Sequence, residues 1–193
     1  MQEHIYFYKQ SLIEADDEIK NEKETSKALK DIIGLAYEKH RKRVWNYFGF
    51  EVVKDTYNAS FNVDWSILYK GTLIAMEESK GHYLDSCFLE RALTGFAKTV
   101  NNYQKNNLSI PVFIIHSFTK YNKFNDKKME DLDTRKECIA DVLYKKVIYS
   151  FMTKCDRLSS QKWFGKCNNC YFDNVDEELI IKDIMLIQSL IPQ

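Results

Sequence analysis

Residues 61–80 read FNVDWSILYKGTLIAMEESK. Side chains alternate in character from Phe61 to Tyr69, where aromatic and branched residues are frequent, and a second run of strand length extends over residues 72–80. Such runs are typical of β-strands, and the Lys70-Gly71 pair between them suits a tight turn. The sequence therefore predicts a β-hairpin.

Helical and strand patterns surround this hairpin in a definite order. The predicted elements are helices over residues 5–48 with a break near 21–26, a strand over 50–53, the hairpin, a helix over 86–106, a strand over 110–118, and helices over 129–152 and 175–191. The apolar run at 110–118 is continuous, as in a strand that is buried on both faces. This order predicts an α/β (α+β) fold, in which helices flank a central mixed β-sheet.

The length of 193 residues fits one domain over residues 1–193, with a core at about 28–118 and a helical C-terminal part at about 129–193. Apolar residues make up 45% of the chain, and six Gly and two Pro exclude collagen-like or linker-rich classes. No apolar run approaches the ~20 residues of a membrane span. The N-terminus lacks signal-peptide features, and the five Cys do not resemble a secreted disulfide framework, so we expect a cytoplasmic protein.

Charge is distributed unevenly although the formal net charge is zero. Residues 39–128 hold fourteen basic and eight acidic residues, whereas both flanking regions are acidic. The middle of the chain could contact DNA, but the whole lacks the positive charge of a domain that captures DNA unaided. This distribution of charge indicates that a partner helps the chain to bind DNA.

Carboxylate and amine groups are concentrated at the ends of the predicted hairpin. Strand periodicity places Glu78 and Lys80 on one face, and Glu77 and Ser79 on the other. Asp64 lies at the facing strand end, where it and Glu78 could share a divalent ion. Such oxygen ligands suit Mg²⁺. Glu77 is the competing ligand, but the spacing to Lys80 favours Glu78.

The pattern Asp64…Glu78-Ser79-Lys80, within this order of elements, resembles the PD-(D/E)xK nucleases. Val63 stands where that superfamily usually has proline, and the resemblance covers about residues 28–118. It implies a restriction-endonuclease-like core and hydrolysis of phosphodiester bonds in double-stranded DNA with Mg²⁺, for which Mn²⁺ can substitute. Asp64 and Glu78 would hold the metal, and Lys80 would activate or orient the attacking water.

More specifically, the chain resembles the small subunit of a heterodimeric type IIS restriction endonuclease. The resemblance implies a larger DNA-recognition subunit as partner, while this chain cuts one strand and is monomeric in isolation. The length near that of a bare catalytic core and the zero net charge are compatible with this role. Alternatives of the same fold are a junction resolvase, a transposase subunit or a repair nuclease. The alternative from another class is a non-catalytic scaffold for protein or DNA contacts.

A further carboxylate often comes from the first core helix in this superfamily, in a Gly-x-x-aromatic-Glu pattern. Gly34 and Tyr37-Glu38 match that pattern, at the expected interval before Gly49-Phe50. The resemblance therefore implies that Glu38 assists catalysis. The helical wheel places Glu38 opposite the apolar face, so either the helix meets the sheet obliquely or Glu38 is solvated.

Two basic clusters are candidate phosphate contacts. The residues predicted to bind nucleic acid are Lys39, Arg41 and Arg43 in the first cluster, which also contains Lys42, and Lys120 and Lys123 in the second. The alternative for each cluster is a solvated surface. His82 could reach a phosphate, or it could be a turn histidine.

Three cysteines remain open to two interpretations. Cys167 and Cys170 have the spacing of a zinc knuckle, and Cys155 precedes them by twelve residues. A complete zinc site needs a fourth ligand, which no neighbouring motif supplies. The alternative is that these thiols pack among the aromatic residues around them.

Overall fold

The computed structural model describes residues 1–22, 29–54, 63–83, 86–119, 146–153 and 175–192. Its elements in chain order are α1 (Gln2–Glu22), α2 (Leu29–Tyr47), β1 (Glu51–Val53), β2 (Trp65–Tyr69), β3 (Thr72–Tyr83), α3 (Ser86–Lys105), β4 (Val112–Thr119), β5 (Val147–Thr153) and α4 (Glu177–Ser189). Within the described ranges, the fold is therefore mixed α/β, with four helices and five strands. The predicted α+β class is confirmed at this level.

The five strands form one mixed sheet in the order β1-β2-β3-β4-β5. β1, β2 and β3 pair antiparallel, as the predicted hairpin requires, whereas β3, β4 and β5 pair parallel. Parallel neighbours need a crossover connection, and α3 lies in the chain between β3 and β4. α1 ends at Glu22 and α2 begins at Leu29, and the predicted break near residues 21–26 falls mostly outside the described residues.

The prediction of a helix over residues 129–152 is wrong at its C-terminal end. Residues 147–153 form β5, which pairs with β4 from Phe113↔Val147 to Thr119↔Thr153. The segment VIYSFMT is rich in branched and aromatic residues, which favour a pleated strand. The C-terminal part is therefore not wholly helical, and residues 129–145 lie outside the described ranges.

Helices cover both faces of the sheet. One core cluster joins α1, α2 and α4 to inward residues such as Ile67 and Ala75. The other joins α3 to the opposite face, including Met76 and Phe113. Burial on both faces explains why β4 is a continuous apolar run. None of the helices in the described part of the chain combines the length and hydrophobicity needed to cross a membrane.

The hairpin turn sets which side chains meet at the far end of β2 and β3. Lys70 and Gly71 both have positive φ, at 50° and 77°, as the turn of a tight two-residue hairpin requires. A register shift at Ile67/Leu68 then aligns Trp65 with Glu77. The residue before β2 is therefore placed beside the residues that follow Glu77.

Candidate active site

Asp64 is fixed against β3 by a backbone hydrogen bond. The Ser79 N–H donates to Asp64 Oδ2 at 2.7 Å. A charge-assisted bond of this length is strong and directional, so it orients the carboxyl at the strand end. This contact brings Asp64 together with the Glu78-Ser79-Lys80 segment, as the hairpin predicted.

The two faces of β3 have different surroundings at this point. The Glu77 side chain faces α2, where it binds Arg41. Gly81 lies on the same face of β3, close to Tyr37. Glu78 and Lys80 alternate with them and therefore belong to the α3 side of the sheet. The Lys80 ammonium partly opposes the rise in the pKa of Glu78 that burial and the neighbouring carboxylates cause.

Glu38 reaches the same site from α2. Its Oε2 lies 3.2 Å from Lys54 Nζ, and its side chain is 19% exposed. Its charge raises the pKa of both Asp64 and Glu78. Glu38 is therefore partly buried, and its charge acts on both carboxyls of the candidate site.

Burial and neighbouring carboxylates raise the pKa of both Asp64 and Glu78. Burial first, and then repulsion from Glu38, raise the pKa of Asp64 to about 7 against the opposing Ser79 hydrogen bond. Burial, Asp64 and Glu38 raise the pKa of Glu78 to about 8. Desolvated carboxylates that repel one another favour either a proton or a cation between them. Perturbed acids of this kind are typical of functional sites.

The donor set fits a hard divalent cation. Asp64 and Glu78 offer carboxylate oxygens, which are the ligands that Mg²⁺ prefers. Within the described ranges, no group of three or more His, Cys, Asp or Glu side chains is arranged to hold a metal ion. Mg²⁺ needs only one or two protein carboxylates when water and phosphate oxygens complete its octahedral shell. The predicted pair is therefore sufficient in chemistry and number.

The prediction that Arg41 contacts phosphate is wrong, because Arg41 is fully buried. Its Nε and Nη2 donate to the two oxygens of Glu77 at 2.7 and 2.9 Å, and its Nη1 donates to Asp183 Oδ2 at 2.6 Å. The guanidinium thereby lowers the pKa of both Glu77 and Asp183. Glu77 is committed to this ion pair, which leaves Glu78 as the ligand candidate.

Further buried polar groups complete this network. Hydrogen bonds link Glu77 and Asp183 to Tyr8, Trp45, Ser79 and Ser150, and His116 Nε2 lies 3.4 Å from Asp183 Oδ1. Ser79 connects the ion network to the candidate site, because its Oγ donates to Glu77 at 2.9 Å while its N–H donates to Asp64. The ion network therefore anchors the strand segment that orients the candidate site.

The other predicted phosphate contacts divide into two groups. Lys39 and Arg43 both pair with Glu18 on α1, at 2.8 Å each. They lie on a different face of α2 from Glu38. Lys120 and Lys123 lie outside the described residues, as do Cys155, Cys167 and Cys170. The backbone of His82 belongs to β3 rather than to a turn, and its side chain is outside the description.

Gly81 lets α2 approach the sheet beside the site. A Cβ at this position would lie 2.8 Å from the Ile33 carbonyl oxygen and 3.0 Å from Tyr37 Cβ. Real Cβ atoms do not approach a backbone oxygen so closely, so a side chain here would displace the helix. The residue after Tyr37 is Glu38, and the close approach therefore helps to set the distance of Glu38 from Asp64.

Lys54 was missed by the sequence analysis. It lies one residue beyond β1, and the pairing Val53↔Ser66 places it beside the start of β2. Its charge slightly opposes the rise in the pKa of Asp64 that burial and Glu38 cause. The signal was present in the sequence, because a lysine directly after the strand that precedes the hairpin falls next to Asp64 once β1 and β2 pair.

Comparison of the chain with protein-family models, with curated proteins and with solved structures finds no match in any of the three.

Proposed function

We propose that this chain is a Mg²⁺-dependent endodeoxyribonuclease of the PD-(D/E)xK type that hydrolyses phosphodiester bonds of double-stranded DNA. The observation that carries the proposal is the pair of desolvated carboxyls at the end of the hairpin. Burial and the nearby Glu38 carboxylate raise the pKa of both groups, Asp64 further raises that of Glu78, and Lys80 follows on the same face as Glu78.

The order of elements supports a restriction-endonuclease-like core. A helix, an antiparallel three-stranded unit, a crossover helix and a parallel strand follow one another as α2, β1, β2, β3, α3 and β4. The candidate carboxylates lie where β2 and β3 separate, and Glu38 reaches them from α2. This is the arrangement that the sequence motif implies.

Asp64 and Glu78 would hold the metal, with Glu38 close enough to influence both. A bound Mg²⁺ supplies Lewis-acid polarisation of a phosphoryl oxygen and acidification of bound water. The pKa values of about 7 and about 8 mean that both carboxyls must lose protons before they bind a cation. Activity should therefore rise with pH up to about 8.

The remaining chemistry belongs to Lys80. An ammonium group has three N–H donors and no acceptor, so it can orient a water oxygen or stabilise charge that develops on the phosphate. Ser79, between Glu78 and Lys80, is fixed by its bonds to Asp64 and Glu77. The backbone beside Lys80 is thereby held in place relative to the carboxyls.

We further propose that the chain is the strand-cutting subunit of a restriction system and works with a larger DNA-recognition subunit. Its net charge is zero, and the cations of its basic cluster on α2 are partly used internally. Arg41 pairs inside the core, while Lys39 and Arg43 pair with α1. The remaining positive surface is modest, which supports a partner that supplies DNA affinity.

Nicking of supercoiled plasmid DNA in Mn²⁺ tests this function, because it needs no specific sequence. We expect the wild type to nick and Lys80→Ala to lose about 100-fold or more of the rate. Lys70→Ala, which removes an exposed lysine from the turn of the same hairpin, should retain activity. A loss below about tenfold for Lys80→Ala would rule out its role. A wild type that neither nicks nor is stabilised by Mn²⁺ would favour the scaffold alternative.

A further inference from the structure

Two lysines flank the buried ring of Trp65 at the edge of the candidate site. Lys42 Nζ lies 5.6 Å from the ring centroid, and Lys54 Nζ lies 5.8 Å from it. Trp65 is 5% exposed, so the two ammonium groups cover it from outside. Such cation–π contacts favour these positions of the ammonium groups, because the face of an aromatic ring carries partial negative charge. The two charges are thereby held at one place on the surface.

These lysines are continuous with the carboxylate cluster. Glu38 and Lys42 are four residues apart on α2, and therefore lie on one face of the helix. Lys54 binds Glu38 at 3.2 Å and follows β1, next to the start of β2. Asp64 directly precedes Trp65. The lysine pair therefore borders the carboxyls on the side of β1 and α2.

The structure separates Lys42 from the rest of the basic cluster on its helix. Arg41 is fully buried, and Lys39 and Arg43 are paired with Glu18. Lys42 is exposed, and it has no ion-pair partner among the described residues. The sequence cluster therefore contains one cation that lies over Trp65, the residue after Asp64, and three that are engaged elsewhere.

We propose that Lys42 and Lys54 bind phosphate groups of the DNA backbone next to the carboxylate pair. This inference rests on the proposed function, and it names the substrate contacts of that site. Three clustered carboxylates repel a phosphodiester, so a site that admits DNA needs compensating cations at its border. Lys54 donates one of its three N–H groups to Glu38, and two remain for phosphate oxygens.

The test measures binding of a fluorescein-labelled DNA duplex by anisotropy at several salt concentrations, in EDTA. Removing one lysine–phosphate interaction should reduce the slope of log K against log salt by about 0.9. We expect this reduction for Lys42→Gln and for Lys54→Gln, and about twice as much for the double variant. The control is Lys9→Gln, which removes a half-exposed lysine that is paired with Glu177, and it should leave the slope unchanged.

An unchanged slope in the double variant would overturn the inference, and so would a wild type that does not bind the duplex at low salt. Because EDTA removes divalent ions, this result is independent of the nuclease chemistry. Reduced slopes without plasmid nicking would leave the phosphate contacts standing and refute the proposed function. Nicking with unchanged slopes would refute the phosphate contacts alone.

Discussion

Replacing Glu78 by Gln tests the carboxylate pair through the pH dependence of folding stability. Burial and the charges of Asp64 and Glu38 raise the pKa of Glu78 from its ordinary 4.5 to about 8. Between these two pH values the folded protein holds a proton that the unfolded chain has already released. Glu78 therefore does not destabilise the metal-free protein below pH 4.5. As the pH rises from 4.5 to about 8, its ionisation progressively lowers the free energy of unfolding.

A difference of one unit between the pKa of a group in the folded protein and in the unfolded chain changes the free energy of unfolding by about 1.4 kcal/mol. The rise at Glu78 thus decreases the free energy of unfolding by at most about 5 kcal/mol by pH 8. Asp64, with its pKa raised to about 7, acts in the same direction. Glutamine keeps the shape without ionising, and it also removes a charge that repels Asp64. We therefore expect Glu78→Gln to be more stable than the wild type at pH 8.5 by a few kcal/mol.

Urea unfolding followed by circular dichroism in EDTA, at pH 5 and at pH 8.5, measures this difference. Mn²⁺ should then stabilise the wild type at pH 8.5, by about 2.7 kcal/mol at a hundred times its Kd, and should leave Glu78→Gln unchanged. Glu51→Gln makes the same substitution at an exposed position on β1, and should behave as the wild type. Equal pH dependence in all three proteins, or equal stabilisation of the variant by Mn²⁺, would refute the reasoning.

Two further substitutions test how the fold supports the site. Arg41→Ala leaves buried carboxylates without their partner, so urea unfolding should show a loss of about 3–5 kcal/mol in the free energy of unfolding. Arg43 is only half-buried, and Arg43→Ala should lower that free energy by about 1 kcal/mol or less. Similar losses for both variants would contradict the buried ion pair. Gly81→Ala should cost about 1–3 kcal/mol and weaken Mn²⁺ binding, because it displaces the helix that carries Glu38. Gly34→Ala meets no atom within 4 Å and should be neutral or stabilising, so equal effects of the two glycine substitutions would contradict the close approach.

Much of the sheet could be predicted because its patterns are local. Strand periodicity and the Lys70-Gly71 turn specify the hairpin, and the apolar run predicted at 110–118 contains most of β4, a strand that is covered on both faces. β5 could not be found in this way. Its residues 147–153 are compatible with either helix or strand, and parallel pairing with β4 decides between them.

The candidate site was predictable where it depends on spacing along one strand. Glu78 and Lys80 share a face by strand geometry alone, and Asp64 follows from the hairpin. The location of Glu38 depends on how α2 crosses the sheet. The close contact at Gly81 determines this crossing, and a helical wheel of α2 alone cannot predict it.

The buried ion network was hidden from sequence analysis because its members are far apart in the chain. Arg41, Glu77 and Asp183 lie on α2, β3 and α4, and each resembles an ordinary surface charge when the sequence is considered alone. A charged residue on a helix face is usually solvated. Only the packing of α2 and α4 against the sheet shows that Arg41 has two carboxylate partners in the core.

A crystal of the protein soaked in Mn²⁺ above pH 8, with anomalous diffraction recorded, tests the central claim most directly. At that pH both carboxyls are free to bind a cation, since their pKa values are about 7 and about 8. We predict an anomalous peak between the carboxylates of Asp64 and Glu78, with the Lys80 ammonium beside it. Carboxylates too far apart to share an ion, or a structure without a peak between them, would contradict the metal-dependent nuclease site.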